Sequence, residues 1–166
     1  MIGNATLREE TPKDHSAIHG LLVAAFHRCG EAELVEALRR EGDLVFGGVA
    51  DVDGVIVGYA ALARMNAPFP ALGLGPVAVA AAYRGKGIAN ALLRWSLARA
   101  QDDQWRAIFV LGDGAFYGRF GFRPELAAGF DTPYAGPHFM ALALNGALPA
   151  KEGPVDYAPA FGWLGA

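Results

Sequence analysis

The chain has 166 residues, of which 53% are apolar and 19% are charged. It is therefore long and apolar enough to bury the core of one domain, and its composition is unlike that of disordered chains. A net charge of −3 argues against a general affinity for DNA or RNA, and no apolar run approaches the ~20 residues of a membrane span. With no signal-peptide pattern and a single cysteine, Cys29, we expect one cytoplasmic domain over residues 1–166 that binds neither nucleic acid nor membrane.

The first part of the chain predicts one strand followed by two helices. Residues 6–9 have the character of a strand, and Thr11-Pro12 forms a helix start because threonine caps helices and proline suits the first helical position. Apolar residues at helical spacing predict a first helix to about Arg28 and a second helix from Glu31 to Arg40. We expect Cys29, between them, to be a small buried thiol.

The middle of the chain predicts three consecutive strands. Leu44 to Val52 and Val55 to Met65 are joined by Asp53-Gly54, which is typical of a type I′ hairpin turn. Leu72 to Ala80 should be the central strand. It contains Pro76, which lacks an N–H group, so we expect a bulge or an unpaired neighbour there.

The remainder of the chain alternates between helices and strands. Gly87 to Ala100 predicts an apolar helix, and its expected buried side consists of Ile88, Ala91, Leu92, Trp95 and Leu97. A strand from Arg106 to Leu111, a short helix from Ala115 to Phe120, and late strands beginning at Phe122 and Phe139 should follow. The order β-α-α-β-β-β-α-β-α-β-β predicts an α/β fold whose mixed sheet has helices on both faces.

The most informative segment is Arg84-Gly85-Lys86-Gly87-Ile88-Ala89, where a buried strand leads into a helix. Closely spaced glycines let backbone N–H groups converge, and the first turn of a helix has unsatisfied donors and a favourable dipole for anions. Arg84 and Lys86 add positive charge. The segment therefore predicts a phosphate or pyrophosphate cradle, or else a helix start that uses glycine only for close packing.

Two familiar phosphate motifs do not match this segment. A Walker loop requires Ser or Thr after its lysine, but Gly87 follows Lys86. A dinucleotide fingerprint requires a third glycine where Asn90 stands, and it usually opens its domain rather than following three strands.

The loop resembles the coenzyme A loop of the GNAT superfamily of N-acetyltransferases, Arg/Gln-x-x-Gly-x-Gly/Ala, at Arg84, Gly87 and Ala89. The segment Phe116 to Phe122 is similar to the family's Tyr-x-x-x-Gly-Phe. Residues 74–79, 110–113 and 153–161 further resemble its YhbS-like branch of predicted acetyltransferases. The resemblance implies a mixed, mostly antiparallel sheet of about six to seven strands, in which the fourth and fifth strands splay apart.

The resemblance also implies acetyl-CoA as the co-substrate. Val77, Ala78 and Val79 would then bind its pantetheine arm through their backbone, and the pyrophosphate would be held by Arg84, Gly85, Lys86, Gly87, Ile88 and Ala89. Tyr117 matches the family's general acid, which protonates the departing thiolate; its alternative role is that of a packing aromatic.

A general base is harder to assign. Many relatives carry a glutamate on the fourth strand, but the segment 72–80 contains no acidic residue. Asp113, Glu31 and Glu33 are the candidates, each with an ordinary capping or solvated role as the alternative, and water with good positioning is a further option.

The implied reaction is acetyl transfer to a primary amine of a small molecule or peptide. A non-catalytic acyl-CoA-binding or regulatory domain, and an acyltransferase for longer acyl groups or a hydroxyl acceptor, stay open. We expect no metal site, because His15 and His19 have no evident third ligand. The tail, residues 146–166, should pack on the domain, and its Tyr157, Phe161 and Trp163 would cover the core, line the acceptor site or form a homodimer contact.

Overall fold

The structure is a computed structural model that describes residues 5–163. Its strands are β1 (Ala5–Glu9), β2 (Leu44–Val52), β3 (Val55–Arg64), β4 (Ala71–Val79), β5 (Ala107–Leu111), β6 (Phe130–Asp131), β7 (Phe139–Ala143) and β8 (Gly153–Pro154). Its α-helices are α1 (His15–Phe26), α2 (Gly30–Glu41), α3 (Ile88–Asp102) and the short α4 (Gly114–Tyr117) and α5 (Pro124–Ala127).

The main sheet has six strands in the order β1-β2-β3-β4-β5-β7. Neighbouring strands are antiparallel except β4 and β5, which are parallel and are joined by the crossover helix α3. β6 and β8 form a separate two-stranded parallel sheet. The predicted mixed, mostly antiparallel sheet is thereby confirmed.

The β2–β3 turn and the bulge of β4 both form where the local sequence predicts them. Asp53 and Gly54 both have positive φ, 50° and 87°, as a type I′ turn requires. The register between β3 and β4 jumps from Ala60↔Val77 to Leu62↔Leu74, which leaves Gly75 and Pro76 as the bulge predicted from the proline.

Helices cover both faces of the sheet, as predicted. On one face, Ile18 and Leu22 of α1 pack in one cluster with Val49 and Tyr59 of the sheet. On the other, Leu92 and its neighbours on α3 pack with residues such as Phe46, Ala60 and Leu62. Because successive strand residues point to opposite faces, β3 contributes Tyr59 to the first cluster and Ala60 to the second.

The structure corrects three details of the predicted elements. Residues 12–14 form a 3₁₀ turn before α1. Cys29 is exposed, because His27 ends α1 in a left-handed conformation and places the cysteine in the turn before α2. Arg123 makes only an isolated bridge with Ala141 rather than starting a strand.

The buried stripe of α3 also differs from the predicted one. Leu93, Ser96 and Ala100 are buried, whereas Ala91, Trp95 and Leu97 are only partly so. The Ser96 hydroxyl donates to the carbonyl oxygen of Leu92 at 2.8 Å, so its polarity does not prevent burial.

The tail packs against a cluster of aromatic residues on the β5–β7 part of the sheet. Val155 and Tyr157 are buried with Phe109, Phe130 and Phe139, and Phe161 packs against the same cluster. The side chain of Trp163 lies outside the described residues. Within residues 5–163, no helix has the length and apolar character needed to cross a membrane.

Candidate active site

The segment Arg84 to Ala89, called the glycine loop below, leads into α3. Gly85 and Gly87 adopt left-handed φ values of 74° and 82°, which favour glycine. Gly87 is the N-cap residue and receives no side-chain cap. The N–H of Ala91 bonds to the Gly87 carbonyl oxygen at 3.0 Å, so the amides of residues 88–90 precede the first intrahelical bond and are available to an anion.

A groove of about 190 Å³ lies at this helix end. Its walls include Arg84, Gly85, Gly87, Ile88 and Ala89. Lys86 is exposed and is not among the lining residues. Five of the six predicted loop residues therefore lie together around one small concave site.

Arg119, from the segment Phe116 to Phe122, is a further cation of this groove, to which the sequence pattern assigned no role. Its Nη2 donates to Oδ1 of Asn90 at 3.1 Å, and its guanidinium lies 4.9 Å from the centroid of the Phe116 ring. Arg84 Nε donates to the Val79 carbonyl oxygen at 3.0 Å. Free backbone donors beside two fixed guanidinium groups are a suitable arrangement for a diphosphate.

The C-terminal half of β4 presents one unpaired edge. Val77, Ala78 and Val79 pair with β3 on one side, but pairing with β5 ends at Leu74↔Val110, so the two parallel strands splay apart beyond it. No other strand of residues 5–163 pairs with that edge. Val79 lines the groove at the glycine loop and Val77 lines a second cavity, so the open edge connects the two.

The second cavity, of about 420 Å³, lies where β4 and β5 diverge. Leu74 to Val77 and Leu111 line it from the sheet, and Tyr117 lines it from α4. The rest of its lining comes from the α1–α2 region, the β6–β7 loop and the tail: Phe26, Arg28, Glu31, Leu34, Tyr134, Tyr157 and Phe161. Its walls are mostly apolar and aromatic, which is typical of a small-molecule site.

Tyr117 is held at the edge of this cavity by packing. Its ring makes edge-to-face contacts with Phe116 and Phe122 at centroid distances of 4.9 and 5.8 Å. It also lies directly over Gly112, where an added Cβ would stand 2.7 Å from Cε2 of the tyrosine. Burial raises the pKa of the Tyr117 hydroxyl, so it is protonated at neutral pH and suited to donate a proton.

Of the three candidate bases, Asp113, Glu31 and Glu33, only Glu31 is among the residues that line the cavity beside Tyr117. Oδ1 of Asp113 accepts from the amide of Ala115 at 3.0 Å and caps α4, and Asp113 does not line the cavity. Glu33 is exposed and is also absent from the lining. The structure therefore shows Asp113 as the cap of α4, and its catalytic role stays a prediction.

Glu31 does line the cavity, but its carboxylate is engaged. Arg28 donates to it through Nε at 2.9 Å and through Nη2 at 2.5 Å. These hydrogen bonds lower the pKa of the buried Glu31 carboxyl, which makes it a weaker proton acceptor.

Tyr157 is a cavity residue whose role the sequence left undecided between core and acceptor site. Only 7% of it is exposed, and its hydroxyl has no hydrogen-bond partner in the part of the chain that the structure describes. Burial, together with the nearby Tyr134 and Tyr117 hydroxyls, raises its pKa. Tyr157 therefore both covers the core and reaches the cavity.

The two helical histidines bind separate carboxylates rather than a common ligand. His15 Nε2 lies 3.1 Å from Oε2 of Glu10, and His19 Nδ1 lies 2.9 Å from Oε2 of Glu36. Among residues 5–163 there is no group of three or more side chains placed to hold a metal ion.

Comparison with known proteins shows the family. Residues 41–124 match the family described as "Acetyltransferase (GNAT) domain". The chain is 40% identical over 129 residues to the uncharacterized N-acetyltransferase YhbS of Escherichia coli K12, covering 75% of this chain and 76% of that protein.

Solved structures agree with that match over nearly the whole chain. The crystal structure of E. coli YhbS in complex with CoA superposes with a TM-score of 0.89 at 32% identity, covering 96% of this chain and 92% of that one. A GNAT family acetyltransferase from Brucella melitensis in complex with acetyl-CoA gives a TM-score of 0.81 at 33% identity, with 95% and 97% covered. The chain therefore belongs to the GNAT family of acetyltransferases.

Proposed function

We propose that this protein transfers an acetyl group from acetyl-CoA to a primary amine of a small molecule or peptide, with Tyr117 as the general acid. The observation that carries the proposal is the open edge of β4, which runs from the glycine-loop groove to the cavity containing Tyr117. The CoA and acetyl-CoA complexes of two similar proteins support it.

The residues present fit the parts of this co-substrate. The free amides of residues 88–90, together with Arg84 and Arg119, would hold the diphosphate. The unpaired backbone of Val77 to Val79 would hydrogen-bond the pantetheine arm as an added strand does. Lys86, which stands outside the groove, would contribute at most a long-range charge.

The chemistry requires a proton donor at the departing sulfur. As the amine nitrogen bonds to the carbonyl carbon, the carbon–sulfur bond breaks and Tyr117 gives its hydroxyl proton to the sulfur, so that a thiol rather than a thiolate leaves. The amine loses its surplus proton to water, and the Tyr117 oxygen regains a proton from water. We assign the removal of the amine proton to water because Glu31, the one of the three candidate carboxylates that lines the cavity, is hydrogen-bonded to Arg28.

The walls of the cavity favour an acceptor with an apolar or aromatic body. Its described lining combines aromatic and aliphatic side chains with one paired carboxylate. This arrangement would leave the amine uncharged near the thioester more readily than a water-filled site would, because desolvation disfavours the ammonium form.

Two measurements test the proposal. Isothermal titration should show binding of acetyl-CoA that free CoA competes away, and no heat at millimolar ligand would end it. A thiol-release screen over an amine library should then give turnover with some amines. Binding without thiol release across a broad panel would favour the non-catalytic acyl-CoA-binding alternative, and faster release from propionyl- or succinyl-CoA would favour a longer acyl group.

A cytoplasmic location, the extent of the single domain over residues 1–166 and a homodimer stay predictions. Fractionation, limited proteolysis and light scattering on the purified chain would check them in turn.

A further inference from the structure

One ion pair supplies the formal charge among the described residues that line the cavity of the proposed reaction. Arg28 lies in the turn between α1 and α2, and Glu31 is the second residue of α2. The other lining residues are apolar, aromatic or glycine. In a mostly apolar site, a few charged groups decide which ligands bind and in which orientation. The pair is therefore the feature of the cavity best suited to select the acceptor.

The two members of this pair differ strongly in exposure. The Arg28 side chain is 64% exposed, whereas the Glu31 side chain is only 8% exposed. Hydrogen bonds from Arg28 lower the pKa of the Glu31 carboxyl, so both groups are ionised at neutral pH. A ligand that enters from solvent therefore meets the cation far more readily than the carboxylate, and this favours an acceptor with a negatively charged group.

Glu31 holds the Arg28 guanidinium by one of its edges. Nε lies 2.9 Å from Oε1 and Nη2 lies 2.5 Å from Oε2, and Nη1 takes part in neither bond. A guanidinium has a second edge, formed by Nη1 and the other N–H of Nη2, which matches a planar carboxylate bidentately. Because the buried carboxylate already orients the arginine, less side-chain freedom is lost when a ligand binds to that second edge.

The balance of charge favours a carboxylate over a phosphate as the partner of this edge. Arg28 is the only cation among the described lining residues, and Glu31 already offsets its charge. A carboxylate adds one negative charge beside the pair, whereas a phosphate adds up to two and is left with a larger uncompensated charge. Phe26, Tyr134 and Phe161 line the same cavity and offer apolar surface to the rest of such a molecule.

We propose that the second edge of the Arg28 guanidinium binds a carboxylate of the acceptor. The substrate class is then amines that carry a carboxylate on an apolar or aromatic body, as amino acids do. This inference rests on the proposed function, because it requires the acceptor to occupy the cavity that contains Tyr117. Arg28 selects the acceptor and takes no part in the proton transfers.

Matched amines measure this selection. Phenylalanine and phenethylamine, 4-(aminomethyl)benzoate and benzylamine, and 6-aminohexanoate and hexylamine each differ by a carboxylate, and the three pairs vary its distance from the amine. Thiol release from acetyl-CoA gives kcat/KM for every amine. In at least one pair the carboxylated member should be preferred by about fivefold to thirtyfold, between the effects of an exposed ion pair and of a charge-assisted hydrogen bond. Added salt should reduce this preference.

Three variants separate recognition by Arg28 from a structural role. Arg28→Gln should abolish most of the preference, and the intrinsic reactivity of the amines cancels when two proteins are compared. Arg28→Gln combined with Glu31→Gln leaves no unpaired buried carboxylate and should lose the preference to the same degree, which excludes an effect of misfolding. Arg40→Gln is the matched control, because Arg40 is also exposed but lines a different surface groove; the preference should be unchanged.

The outcomes keep the two proposals apart. If the unmodified protein releases no thiol with any amine of these pairs or of the wider library, the proposed function fails. If it acetylates amines without preferring the carboxylated members, recognition by Arg28 is refuted while the proposed function stands. The same conclusion follows if the preference survives in both Arg28 variants, or if Arg40→Gln reduces it as much as Arg28→Gln does.

Discussion

Gly112→Ala tests whether the position of Tyr117 matters to the reaction. The new Cβ would stand 2.7 Å from Cε2 and 3.2 Å from Cδ2 of Tyr117, whereas carbon atoms in contact prefer about 3.5–4.0 Å. The Gly112 backbone cannot easily retreat, because its N–H donates to the His138 carbonyl oxygen at 2.9 Å. The ring must therefore move, by about 0.8 Å or more at Cε2.

A shift of this size should slow catalysis and spare binding. Displacement of a reacting group by about 1 Å can cost roughly 100-fold in rate, so we expect kcat to fall about 10- to 100-fold. The acetyl-CoA dissociation constant should change less than about threefold, since the glycine-loop groove is untouched. Thiol release with an amine found in the screen gives kcat, and isothermal titration gives the dissociation constant.

The same segment supplies a control and a refutation. Gly118→Ala adds a Cβ that meets nothing within 4 Å and should leave kcat unchanged. In a Tyr117→Phe background, Gly112→Ala should have little further effect, because the proton that it misplaces is already gone. If Gly112→Ala keeps full activity and unfolds at the normal temperature, the contact between Gly112 and the Tyr117 ring does not position the acid.

Three further predictions concern the acid, the loop and a capping carboxylate. Tyr117→Phe should lower kcat by about 10²- to 10⁴-fold at constant acetyl-CoA affinity, and unchanged thiol release at several pH values would contradict the general-acid role. Gly85→Ala should weaken acetyl-CoA binding about fivefold in titration, because φ is 74° and a left-handed alanine costs about 1 kcal/mol, which the free loop can avoid by relaxing and the bound loop cannot. Equal affinity would show that binding does not need this conformation. The Asp14 carboxylate accepts from Arg8 at 2.7 Å and from the Thr11 amide at 2.8 Å, and these bonds hold its pKa well below the usual range. The ionised carboxylate therefore stabilises the folded protein fully above about pH 4, and this contribution is lost as the pH falls below that value. Urea unfolding should show a smaller acid loss for Asp14→Asn, and parallel pH curves for both proteins would exclude this source.

The elements with local causes were predictable. The type I′ turn at Asp53-Gly54 depends on the two residues of the turn, and the β4 bulge depends on the missing N–H of Pro76. The glycine loop was also recognisable, because left-handed glycines at a helix start are a local device for anion binding. Burial along α3 was less predictable, since which stripe faces the sheet depends on the partner surface; Ser96 is buried because it can bond to Leu92.

The sequence by itself determined the family, the order of the elements from β1 to β5, the glycine loop and Tyr117 as a candidate acid. Only the tertiary structure decided which side chains share a cavity, because its walls come from the α1–α2 turn, the ends of β4 and β5, and the tail. It placed Asp113 at the cap of α4, added Arg119 to the groove and brought the buried Tyr157 into the lining of the cavity. The partners of a side chain often come from residues far away in the chain. The spacing of residues along the sequence does not show which of them lie close together in space.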